Sequence, residues 1–97
     1  MTSYEILQCA EILWAHVGTK PVPDRDSTKA RDVLFAAMML HPVMRRSGHF
    51  DTAGSLRELI DGWHTSQAQW TQAWFSLYHE APYPRPSFVE MVTRSHA

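Results

Sequence analysis

From Gly62 to His79 the chain runs eighteen residues without an Asp, Glu, Lys or Arg. Over the same stretch its large side chains recur at helical steps. Leu56, Leu59, Ile60, Trp63, Gln67, Trp70, Trp74, Leu77 and Tyr78 hold that step for about six turns, a spacing that suits one face of a helix and no strand. The spacing predicts a long helix over about 52–80. Asp51 or Thr52, or the pair Ser55 and Glu58 at capping-box spacing, would start it. Gly62 interrupts the pattern at a cost of about 1 kcal/mol relative to Ala.

The rest of the chain reads the same way. Thr2 and Glu5 have capping-box spacing ahead of Ile6, Ala10, Leu13, Trp14 and Val17, which predicts a helix over about 3–17, closed by Gly18. Residues 18–27 carry two prolines and mixed charges and read as a loop. Asp26 or Ser27 can cap a second helix over about 28–41. It sets Ala30, Val33, Leu34, Ala37, Met38 and His41 on one stripe, with Phe35 and Met39 on another. Being apolar nearly all round from 33 to 40, it is expected at the centre of the fold, with Pro42 ending or kinking it. Pro82, Pro84 and Pro86 impose an extended stretch, either as a return path across the bundle or as a ligand for an aromatic groove. Beyond it, Ser87 and Glu90 suggest a short terminal helix. No segment alternates long enough to be a strand. The expected class is all-α: three main helices plus a short C-terminal one, in a single domain spanning 1–97.

Composition narrows what such a domain can do. Leu, Ile, Val and Phe supply only 20 of 97 residues, so four Trp, three Tyr and five Met must fill the core. A chain of this size buries a limited share of its surface, and self-association would add to its stability. Nine Lys and Arg against ten Asp and Glu give a net charge of −1, which argues against a general polyanion binder. A single cysteine, Cys9, excludes an internal disulfide framework and an all-cysteine zinc site. The start Met-Thr-Ser-Tyr-Glu-Ile has no basic segment leading into an apolar run, and the longest apolar run, Val33 to Leu40, is eight residues. A reducing, cytoplasmic setting without membrane contact is the expectation.

No catalytic motif is present. The six histidines form no His-x-x-x-His pair; Asp61 and His64, one turn apart, would make at most half a metal site. Cys9 and His16 stand about 10 Å apart along a helix, too far for thiol activation. Phosphate loops, dinucleotide fingerprints and nucleophile elbows are missing. The expectation is a protein without enzyme activity, catalytic residues, metal or cofactor.

The uncharged helix carries the functional reading. Interface cores are depleted in charge and enriched in aromatics. Ala68, Gln69, Thr71, Gln72, Phe75 and Tyr78 are the expected protein-binding residues, while Trp63, Trp70, Trp74 and Leu77 turn inward. The partner would be another protein or a second copy, bound stoichiometrically by a regulator, inhibitor or adaptor. The same composition also fits a helix enclosed by its own bundle. The alternative function is a helix-turn-helix-like DNA contact by Arg45, Arg46 and Arg57 around Gly48, although Asp51, Glu58 and Asp61 crowd that corner.

Overall fold

A computed structural model describes residues 2–80. Among them lie four helices and no strand: α1 (Ser3–His16), α2 (Thr28–Arg46), α3 (Phe50–Thr65) and α4 (Gln67–Glu80). The class is all-α as expected, but the helix expected over 52–80 is two helices. The terminal helix and the proline segment 82–86 fall outside the described residues.

Local chemistry sets each boundary. At the start of α1, Thr2 Oγ1 accepts from the Glu5 amide at 3.2 Å, and the Glu5 carboxylate accepts from the Thr2 amide at 3.4 Å. The helix leaves through Val17 (φ −58°, ψ 136°) and Gly18 (φ +83°), with the Thr19 amide donating to the His16 carbonyl at 3.1 Å, the geometry of a type II turn. Ser27 caps α2, its Oγ accepting from the Ala30 amide at 3.1 Å.

The second helix does not stop at residue 41. Pro42 sits inside it and the helix continues to Arg46. Proline withholds the amide that would bond the Met38 carbonyl, but Pro42 and Met38 are both exposed, so the loss falls on the solvent side of the helix. The true end is a Schellman motif. Gly48, at φ +81°, donates to the Arg45 carbonyl at 3.2 Å, and the His49 amide reaches the Met44 carbonyl at 2.9 Å. The next helix begins at once, with His49 at its N-cap and no side-chain cap bond. Neither Asp51, Thr52 nor Ser55 takes that role; the Ser55 hydroxyl, buried, donates to the Asp51 carbonyl at 3.2 Å.

Ser66 divides the long helix. Its backbone is extended (φ −163°, ψ 159°), and it serves both neighbours. Its amide donates to the Gly62 carbonyl at 3.1 Å to close α3. Its Oγ accepts from the Gln69 amide at 3.1 Å and its carbonyl from the Trp70 amide at 3.0 Å to open α4. At this corner the first turn of α4 lies against Gly62, where a Cβ would stand 2.9 Å from the Gln69 carbonyl oxygen.

Consecutive helices pack in chain order, α1 on α2, α2 on α3 and α3 on α4. The shared core takes Ile6, Leu13 and Val17 from α1 and its exit, Val33, Ala37, Leu40 and Met44 from α2, Leu56 and Leu59 from α3, and Trp70, Trp74 and Leu77 from α4. Burying each of the larger side chains contributes about 1.5–3 kcal/mol. Trp70 and Trp74 are both fully enclosed, their rings 5.4 Å apart and tilted. Aromatic bulk thus replaces the missing aliphatics.

Gly54 plays no part in this packing. It is exposed in α3, and a Cβ there would meet no atom within 4 Å. Gly54→Ala should therefore stabilise the fold by about 0.5–1 kcal/mol, a rise in Tm of about 3–6 °C by calorimetry.

Candidate functional site

Two prolines keep the segment between α1 and α2 out of helix and leave its carbonyls needing donors. Three tryptophans supply them. Trp63 Nε1 donates to the Arg25 carbonyl at 2.7 Å, Trp70 Nε1 to the Pro23 carbonyl at 3.0 Å, and Trp74 Nε1 to the Thr19 carbonyl at 3.0 Å. Gln67 adds two bonds: its Nε2 donates to the Pro23 carbonyl at 3.3 Å, and its Oε1 accepts from the Arg25 amide at 2.9 Å. Arg25 answers with Nη1 to the Trp63 carbonyl at 2.7 Å. Each such bond contributes about 0.5–1.5 kcal/mol net. The indoles, spaced seven and four residues apart, strap the loop to α3 and α4, so their polar edges serve the fold.

The rest of α4 divides into two flanks. Gln69 and Gln72 are exposed and, with Ala73 and Ser76, face Glu58 and Asp61 of α3 across a cleft of about 350 Å³. Ala68, exposed, and Thr71 and Phe75, half-buried, do not line that cleft. The Thr71 hydroxyl donates to the Gln67 carbonyl at 2.8 Å, and Phe75 packs partly against the core. The side chain of Tyr78 lies outside the described residues. Five expected binding residues thus share the outer half of α4, Gln69 and Gln72 on the cleft side and Ala68, Thr71 and Phe75 outside it.

The basic corner also divides. Arg45 and Arg46 are exposed in the last turn of α2, where positive charge suits the helix C-terminus. Ser47, Gly48 and His49 alone separate α2 from α3. Arg57, one helix on, is engaged with Asp61 at 3.3 Å; both side chains are more than half exposed, so the pair adds little stability.

A surface that the charge pattern did not point to lies between α1 and α2. Glu5, Gln8, Cys9 and Ile12 face Asp32, Phe35, Ala36 and Met39 across a groove of about 390 Å³. Its signal was the all-round apolar character of 33–40: Phe35 is left exposed and Met39 half-buried while Val33, Ala37 and Leu40 are buried, and Met38, expected on the stripe of Val33 and Ala37, is exposed instead. Burial raises the pKa of the Cys9 thiol, and the Glu5 carboxylate raises it further, so the sulfur stays protonated and weakly nucleophilic. Among the described residues no three His, Cys, Asp or Glu side chains gather closely enough to hold a metal ion, and no helix is long and apolar enough to cross a membrane. No family model, curated protein or solved structure matches this chain.

Proposed function

We propose that this chain acts by stoichiometric binding of another protein, as a non-catalytic regulator, inhibitor or adaptor, through the outer half of α4. One observation carries the reading. With the three indoles committed to the loop, α4 still presents Ala68, Gln69 and Gln72 to solvent without a charge among them, beside the half-buried Phe75. A solvated face of a small domain ordinarily carries Lys or Glu at such positions, whereas an interface core excludes them. Glu58 and Asp61 across the cleft add a polar rim that would orient the partner.

The test places charge on the face without touching the core. Ala68→Glu with Gln72→Glu, both at exposed positions, should leave the far-UV circular dichroism spectrum unchanged. In capture from a lysate of the native host, the wild type should retain a protein at near-equal molar amount and the double variant should lose it. Equal retention by both removes α4 as the binding face.

The DNA alternative draws its support from the three-residue turn between α2 and α3 and from the exposed Arg45 and Arg46. It has less support than α4, because α3 also exposes the acids Asp51, Glu58 and Asp61, which would repel a phosphate backbone. Arg45→Ala with Arg46→Ala should leave the captured protein in place.

A further inference from the structure

We propose that the groove between α1 and α2 is a self-interface, filled by the Phe35–Met38 ridge of a second copy in a two-fold dimer. The ridge is one rim of the groove: Phe35 lines it, and Met38 stands three residues on, exposed and outside the lining. Phe35 is 63% exposed, Met38 50% and Ile12 42%, three of the five large apolar side chains most exposed among the described residues. The groove walls carry Glu5 and Asp32 and no base. The ridge has Asp32 on its groove side and a base beside it: Arg31 stands four residues before Phe35 and seven before Met38, on the same exposed face of α2, and does not line the groove. Among the described residues neither Arg31 nor Asp32 makes an ion pair.

A surface that holds both an acid-walled apolar groove and an apolar ridge flanked by a base is complementary to itself. A two-fold axis then satisfies both halves at once, each ridge entering the partner's groove and each Arg31 meeting an acidic wall. The arrangement also covers apolar area that a chain short of aliphatic residues leaves in water. It involves neither flank of α4, so it stands or falls independently of the binding reading above.

The groove contains its own reporter, since Cys9, half-buried on its wall, is the chain's only cysteine. Light scattering on a sizing column, from low micromolar to millimolar protein, should show a dimer whose dissociation constant rises with salt. Maleimide labelling of Cys9 should slow in step with the dimer fraction. Phe35→Ala, at an exposed position, should weaken the dimer about 30-fold or more with circular dichroism unchanged. Arg31→Glu should weaken it and reverse the salt effect. The α4 variant Ala68→Glu with Gln72→Glu should dimerise as the wild type does. A monomer at millimolar concentration overturns the proposal. So does a dimer that leaves the Cys9 labelling rate unchanged or that is lost in the α4 variant, since either puts the interface elsewhere.

Discussion

Trp70→Ala is expected to remove a large share of the stability of this fold. Trp70 is fully buried, stacked at a tilt on Trp74, and bonded to the Pro23 carbonyl at 3.0 Å. Truncating a buried Trp costs about 3–5 kcal/mol, against about 5–15 kcal/mol for a whole domain. The urea midpoint should fall by about 2 M or more, or the chain should lose its helical signal in water. Trp70→Phe separates the two contributions. It keeps much of the ring volume and loses the donor, and the Pro23 carbonyl retains a second donor in Gln67 Nε2 at 3.3 Å. A cost of about 1–2 kcal/mol is therefore expected, well short of the Ala variant. Equal losses in the two variants would mean that the loop bond, and not packing, dominates at this position.

Gly62→Ala is the second large effect, and its sign opposes propensity. In an unobstructed helix the change stabilises by about 1 kcal/mol. Here the new Cβ would lie 2.9 Å from the Gln69 carbonyl oxygen and 3.0 Å from the Gln69 carbonyl carbon and the Trp70 amide nitrogen. These are backbone atoms of the first turn of α4, which cannot step aside as a flexible side chain would. The two helices must separate, and the indoles of Trp70 and Trp74 move with α4. A net destabilisation of about 1–3 kcal/mol is expected by urea titration, while Gly54→Ala in the same helix gains stability. Stabilisation by both substitutions would mean that the corner is looser than its geometry.

The contrast between these glycines shows where sequence reading succeeds and where it stops. Caps are local, and the Thr2–Glu5 box, Ser27 and Gly18 were readable because each acts within four residues of itself. The sequence pattern runs through the corner at Ser66 for a physical reason. Trp63, Trp70 and Trp74 keep helical phase across the corner, and no proline marks it. The readable clue was Ser66 with Gln69 three residues on, a capping-box spacing hidden inside a continuous pattern. Pro42 misled in the other direction, because its tolerance depends on facing solvent, a tertiary fact. The inward turn of Trp70, Trp74 and Leu77 followed from phase alone. The groove between α1 and α2 did not, since it arises from how two helices meet.

The strap of indoles on the loop has a kinetic consequence. The main helix pairs pack in chain order, each closing over a short stretch of sequence. The three indole bonds join residues 38, 47 and 55 positions apart. Closing such spans costs chain entropy before any contact returns it, so the strap is expected to form late in folding. Once made, it ties the first connection in the chain to α3 and α4. The fold is then expected to unfold as one unit, and the rate at which indole fluorescence is lost should match the rate at which helix is lost.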